Sequence, residues 1–197
     1  MKCDLILTGV GGQGVLSAAV IIATAAVDSG LNVKQSEIHG MSQRGGSVVA
    51  HLRLSDRPIA SDIVSLAGAD IILGAEMLEA VRCLPYLSGN GWLVVSQTQL
   101  ATATGYPAVD LLHNELRTRG HLLLLETETL ARSIGSVRTS ITVLLGAASA
   151  LLPIPAEVLS LAISRRFASK GSRLVDANAK AFEAGRLAAE SCRSQPA

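Results

Sequence analysis

The opening of the chain constrains the fold most tightly. Leu5-Ile6-Leu7-Thr8 runs into Gly9-Val10-Gly11-Gly12-Gln13-Gly14 and then into an uncharged, alanine-rich stretch from Val15 to Val27. A leucine-rich apolar run, four clustered glycines and a long apolar stretch predict a buried strand, a tight turn and a helix that begins at the turn. Glycine at such a turn lets a ligand approach the backbone, and the N–H groups of the helix's first turn attract anions such as phosphate. Charge is absent from Leu5 to Val27, which invites comparison with a membrane span. The glycines interrupt it, and the helical remainder is shorter than the ~20 residues a bilayer requires. A buried first helix, and no membrane partner, is the expectation.

The rest of the chain keeps alternating strand and helix. Leu31 to Ile38 reads as a second strand that completes a βαβ unit, and His39 to Gly46 as a loop. Ser47 to Leu54 alternates, with Val48, Ala50, Leu52 and Leu54 on one side and His51 and Arg53 on a wetter one, so this strand is expected to be antiparallel or near an edge. Further strands are expected at Ala69–Ala75, Trp92–Ser96 and His121–Glu126, with helices at Glu76–Leu84, Ala108–Gly120 and Thr127–Ile134. Val137 to Leu152 is a nearly all-apolar helical stretch ended by Pro153-Ile154-Pro155, and Pro155 is placed to start the next helix. The last helix, Ser172 to Ser191, puts Val175, Asn178, Phe182 and Gly185 on one stripe. Thr98 to Tyr106 carries no clear pattern. These elements predict an α/β fold, a single doubly wound (Rossmann-like) mostly parallel sheet with helices on both faces, forming one domain over residues 1–197.

Composition narrows the function. A net charge of +1 and 3% aromatic residues provide neither a field for nucleic-acid phosphates nor stacking platforms for bases, so no nucleic acid is expected. With 49% hydrophobic and 17% charged residues, part of the apolar surface is expected to face another chain. Cys3, Cys83 and Cys192 are scattered and form no C-x-x-C pair, so this chain alone holds no iron–sulfur cluster or thiolate zinc site, and it suits a reducing cytoplasm.

Two loops carry the candidate chemistry. Gly9-x-Gly11-x-x-Gly14 formally matches a dinucleotide fingerprint, with Glu37 near the end of the second strand where an acid would meet a ribose hydroxyl. The same turn also suits any phosphate-bearing ligand, or close strand–helix packing. The second loop contains His39, Ser42, Gln43, Arg44, Gly45 and Gly46, and would share the sheet's carboxyl edge if its strand ran parallel to the first. Arginine offers a planar fork to phosphate or carboxylate, and the Gly-Gly pair lets backbone N–H groups reach the same anion. His39 is a weak candidate for a proton donor, and no other catalytic residue and no metal ligand stands out. Glu76 and Glu79 read as first-turn acids that stabilise a helix dipole.

Gly9-Val10-Gly11-Gly12-Gln13-Gly14 followed by Ser36-Glu37-Ile38-His39-Gly40-Met41-Ser42-Gln43-Arg44-Gly45-Gly46-Ser47-Val48 resembles the gamma-type domain of 2-oxoacid:ferredoxin oxidoreductases. The His-Gly-Met-x-Gln-Arg-Gly-Gly form on a free-standing chain is most similar to the indolepyruvate branch of that family. Leu144-Leu145-Gly146-Ala147, Leu152-Pro153-Ile154 and Asn178 to Gly185 extend the resemblance over nearly the whole chain. One position departs: where the family commonly has an asparagine shortly before Leu-Leu-Gly-Ala, this chain has Ile141. The resemblance implies a complex that oxidatively decarboxylates a 2-oxoacid to an acyl-CoA and reduces ferredoxin. It implies that a large partner subunit carries thiamine pyrophosphate, Mg2+ and the Fe-S clusters. This chain would hold none of these alone, but would complete the site and contact coenzyme A through Gly9, Gly11, Gly12, Gln13, Gly14, Ser42, Gln43, Arg44, Gly45 and Gly46. The rival reading is a stand-alone NAD(P)-dependent dehydrogenase that uses the fingerprint and Glu37. A purely structural partner whose loops bind only protein is a third reading.

Overall fold

A computed structural model describes residues 1–40, 45–99 and 105–193. The strands are β1 (Lys2–Val10), β2 (Asn32–His39), β3 (Ser47–Ser55), β4 (Ala69–Gly74), β5 (Leu87–Ser96) and β6 (His121–Leu125). The helices are α1 (Val15–Asp28), α2 (Met77–Arg82), α3 (Val109–Arg117), α4 (Thr127–Ser133), α5 (Ser140–Ala148), α6 (Ala156–Phe167) and α7 (Ser172–Arg193). The six strands form one mixed sheet in the order β2-β3-β1-β4-β5-β6. β1, β4, β5 and β6 run parallel, and β3 is antiparallel to both β1 and β2.

Alternation along the strands sorts the core into two layers. Leu5, Leu7, Leu52, Leu54, Ile71 and Leu73 face α1, α5, α6 and α7, while Ile6, Ile72, Leu93 and Val95 face α2 and α3. Strands buried on both faces need apolar residues at consecutive positions, which explains the unbroken run at the start of the chain. None of the helices in the described residues is long and apolar enough to cross a membrane.

Three local readings change. β1, α1 and β2 do not form a simple βαβ unit, because β3 lies between β1 and β2. β2 still points in the direction of β1, so the ends of β1 and β2 share the carboxyl edge. The expected wet face of β3 is covered. His51 is buried, its Nδ1 accepts from the Val64 N–H at 3.2 Å, and its ring meets Tyr86 edge-on at 5.3 Å. Arg53 clamps the buried Asp4 through Nε (2.8 Å) and Nη2 (3.1 Å), and its Nη1 donates to the carbonyls of Ser61 and Ile63. The segment between β3 and β4 lies over this face, a long-range cover that local alternation does not encode. The third change is in the apolar helix from Val137: α5 is only Ser140–Ala148, flanked by 3-10 turns at Val137–Thr139 and Ser149–Leu151.

The C-terminal stripe holds except at Val175, which is only half-buried. Asn178, Phe182 and Gly185 are buried against α5. A Cβ built on Gly146 would lie 2.0 Å from the Phe182 carbonyl oxygen, and one on Gly185 would lie 1.9 Å from that of Val143. Backbones at this separation exclude any side chain larger than hydrogen at both positions, so these two glycines set the crossing of α5 and α7.

Candidate functional site

The chain leaves β1 at Val10 and enters α1 after Gly14, whose φ of +87° places it in the left-handed region. Gln13 holds this turn shut. Its N–H donates to the Val10 carbonyl at 3.0 Å, its Oε1 accepts from the Val10 N–H at 2.7 Å, and its Nε2 donates to the Ala75 carbonyl at 3.3 Å. α1 leaves β1 on one face of the sheet and α2 leaves β4 on the other, which makes the β1/β4 junction the topological switch point. The amide of Gln13 fills that crevice. Gly9 is tight beneath it: a Cβ there would lie 2.8 Å from Gln13 Oε1 and 2.9 Å from both Ala75 Cβ and Val15 Cγ2.

The glycines thus divide by role. Gly9 and Gly14 are packing positions, Gly14 against Ile141, whose Cγ2 lies 3.0 Å from the place a Cβ would occupy. Among the described residues, Gly12 (φ +107°) and Gly45 (φ +72°) have no atom within 4 Å of a built Cβ, and Gly46 is equally open. Their need for glycine comes from backbone conformation and open approach.

The structure brings the two glycine loops together. The Gly11 N–H donates to the Gly46 carbonyl at 2.8 Å, and the Gly45 N–H to the Gly11 carbonyl at 3.3 Å. Beside this junction lies a pocket of about 210 Å³, lined by Val10, Gly11, Gly12, Gly14, Val15, Leu16, Ser17, His39 and Val48. α1 begins here without a side-chain cap among the described residues and with no acid in its first turn. Its first-turn N–H groups lack intrahelical acceptors and carry the positive end of the helix dipole. The arrangement is suited to binding an anionic oxygen group. His39 is exposed, and its Nδ1 donates to the Gly40 carbonyl at 3.2 Å. Ser42, Gln43 and Arg44 lie outside the described residues.

Glu37 does not reach the place a dinucleotide ribose would require. With β3 between β1 and β2, its strand is two positions from β1, roughly 10 Å across the sheet. Its carboxylate accepts from Gln35 Nε2. The acids of α2 do more than stabilise a dipole. Glu76 caps the helix by accepting the Glu79 N–H at 2.9 Å and also accepts the Tyr106 hydroxyl, while Glu79 accepts from Arg82 Nη1 at 2.9 Å and from Ser47 Oγ. Glu79 therefore ties the start of β3, and with it Gly45-Gly46, to the end of β4. Burial, then the Glu76 carboxylate, raises the Tyr106 phenol well above its ordinary value. Sequence spacing gave no sign of the Ser47–Glu79 and Tyr106–Glu76 bonds, which join residues 32 and 30 positions apart. The pocket residue Val48 was legible in principle as the first buried position after the second glycine loop.

Burial raises the Cys83 thiol and pushes that of Cys3 up to about 12, so both stay protonated and unreactive at neutral pH. Among the described residues, no group of three or more His, Cys, Asp or Glu side chains could hold a metal ion.

A family model described as pyruvate ferredoxin/flavodoxin oxidoreductase matches residues 4–188. The chain is similar to indolepyruvate oxidoreductase subunit IorB of Methanothermobacter thermautotrophicus, with 36% identity over 192 residues, 94% of this chain and 96% of that one. It is likewise similar to the subunit of the same name from Pyrococcus horikoshii, with 36% identity over 198 residues, 95% of this chain and 96% of that one. Its fold is similar to a solved 2-oxoglutarate:ferredoxin oxidoreductase from Magnetococcus marinus with 2-oxoglutarate, coenzyme A and succinyl-CoA bound. The TM-score is 0.78 at 20% identity, over 96% of this chain and 31% of that one.

Proposed function

The chain belongs to the pyruvate ferredoxin/flavodoxin oxidoreductase family, and from that premise we propose that it is the non-cluster subunit of a cytoplasmic indolepyruvate (arylpyruvate) ferredoxin oxidoreductase. The complex converts a 2-oxoacid, coenzyme A and oxidised ferredoxin to an acyl-CoA, carbon dioxide and reduced ferredoxin. A large partner subunit holds thiamine pyrophosphate, Mg2+ and the Fe-S clusters. Thiamine pyrophosphate supplies the decarboxylation chemistry when bound there. The relatives at 36% identity, both named for indolepyruvate, support the substrate class. A single sheet with helices on both faces supports one domain over residues 1–197. Three free cysteines, two of them buried, suit a reducing compartment.

The contribution of this chain is to hold coenzyme A at the glycine rim. The observation that carries the reading is the start of α1, uncapped among the described residues, facing a pocket rimmed by two mutually bonded glycine loops. At about 210 Å³ the pocket is smaller than the ~300–1,000 Å³ of a typical small-molecule site, so it takes a phosphate group of the ligand and not the whole molecule. The N–H groups of Val15, Leu16 and Ser17 would hold that group, Gln13 and Glu79 keep the two loops in place, and Arg44 adds the guanidinium expected from sequence. Orientation of the co-substrate follows from this grip.

Co-expression with a large thiamine- and Fe-S-containing subunit of the same family tests the proposal. The two chains are expected to purify together and to reduce ferredoxin on addition of indolepyruvate and coenzyme A. A chain that never associates with a thiamine-containing subunit, or that binds NADH saturably by itself, would overturn it.

A further inference from the structure

A larger cavity among the described residues lies away from the glycine rim. It encloses about 680 Å³ between the Ile134-Gly135-Ser136 turn and the first turns of α7. Lys170, Arg173 and Lys180 line it against a single carboxylate, Asp176, a local excess of two positive charges on a chain whose net charge is +1. Asp176 is spaced three residues from Arg173 and four from Lys180, the separations at which helical ion pairs form. Among the described residues neither pair closes to within 4 Å, so the two cations keep their charge available to the cavity. Lys170 lies over the Phe167 ring at 5.7 Å. Half-buried Ile134, Leu174 and Ala177 add an apolar wall.

The volume lies in the range of small-molecule sites, and a cationic lining joined to an apolar wall fits a ligand with both phosphates and a flat ring. We propose that this cavity binds a nucleotide carrying two or more phosphate groups, its base on Leu174 and Ala177 and its phosphates between Arg173, Lys180 and Lys170. The site is distinct from the glycine rim but joined to it. Ile141 packs on Gly14, Thr142 Oγ1 donates to Asn178 Oδ1 at 2.6 Å, and Asn178 Nδ2 donates to the Leu174 carbonyl at 2.8 Å. The first turn of α5 therefore separates the two pockets. The nucleotide can be a free one or the phosphorylated adenosine end of coenzyme A. The inference stands on the cavity and does not require the coenzyme A reading.

Calorimetric titration of the full chain with adenosine 3′,5′-bisphosphate, ADP, coenzyme A and adenosine tests it. Adenosine 3′,5′-bisphosphate is expected to bind at one site, adenosine not to saturate, and Arg173→Gln/Lys180→Gln to raise the Kd of the bisphosphate at least tenfold. Both substitutions are on exposed positions, and circular dichroism checks the fold. Coenzyme A matching the bisphosphate assigns its nucleotide end, whereas ADP binding more tightly than either assigns a free nucleotide. Ser17→Glu, which puts a carboxylate into the glycine-rim pocket, should leave bisphosphate binding unchanged. The proposal is wrong if no phosphorylated nucleotide binds, if the double variant binds as the parent does, or if Ser17→Glu abolishes binding. An unchanged KM for coenzyme A in the assembled complex carrying Ser17→Glu, with bisphosphate binding intact, would refute the glycine-rim reading alone.

Discussion

Replacing Gly185 by alanine should destabilise the protein, although helix propensity alone says the opposite. In an open helix interior the change gains up to ~1 kcal/mol. Here the new Cβ would lie 1.9 Å from the Val143 carbonyl oxygen, 2.8 Å from its carbon and 3.0 Å from the Ala147 nitrogen, all backbone atoms. A carbon–oxygen contact tolerates roughly 3.2 Å, so α5 and α7 must part by about 1.3 Å. Overpacking of this kind costs about 1–3 kcal/mol. The separation also stretches the buried Thr142–Asn178 bond, now 2.6 Å, beyond hydrogen-bonding range, for about 1 kcal/mol more. Net of propensity, about 2 kcal/mol is lost, equivalent to a Tm lowered by about 4–8 °C in a chain of this size. Differential scanning calorimetry of Gly185→Ala and Gly146→Ala measures it, with exposed Ala179→Gly as the propensity control. The double variant should lose less than the sum, because one separation relieves both clashes. A Tm that rises in Gly185→Ala would refute the close crossing.

Two further outcomes follow from the buried polar groups of β3. Burial lowers the His51 pKa from its ordinary 6.5, with Asp62 opposing, and the imidazole accepts from the Val64 N–H as a neutral group. The unfolded chain therefore binds the proton more readily. Stability is full above about pH 6.5 and falls as pH drops from there toward the folded-state pKa, and denaturant titrations should show this slope reduced in His51→Gln. Arg53→Met leaves the Asp4 carboxylate buried with only Lys2, at 2.7 Å, and should cost about 3 kcal/mol, a loss that adding Asp4→Asn partly restores in a double-mutant cycle.

Wherever one residue type has one physical use, the sequence was readable. The leucine run and glycine cluster specified β1, the turn and α1 because a buried parallel strand, a left-handed turn and an apolar helix admit few other residues. Asn178, Phe182 and Gly185 were readable as a stripe for the same reason, although their partner glycine on α5 was not. What the sequence hid is long-range. β3 alternates like a half-exposed strand, and its position between β1 and β2 depends on pairing that no local pattern records. That insertion removes Glu37 from β1 and so removes the geometry of the dinucleotide fingerprint. Gln13 looked like a ligand contact by its place among the glycines, yet both ends of its amide bond backbone. The Ser47–Glu79 bond that anchors the second loop joins residues with no periodic relation.

The central claim is that the start of α1 grips the co-substrate. The Michaelis constant for coenzyme A of the assembled complex carrying Ser17→Glu tests it most directly. A carboxylate in the first turn suits the helix dipole and leaves the fold intact, but faces any phosphate held in the pocket. Repulsion between such charges near a surface amounts to ~1 kcal/mol or more. KM for coenzyme A is expected to rise at least fivefold while KM for the 2-oxoacid stays within twofold of the parent. An unchanged KM for coenzyme A, in a complex that assembles normally, would contradict the account.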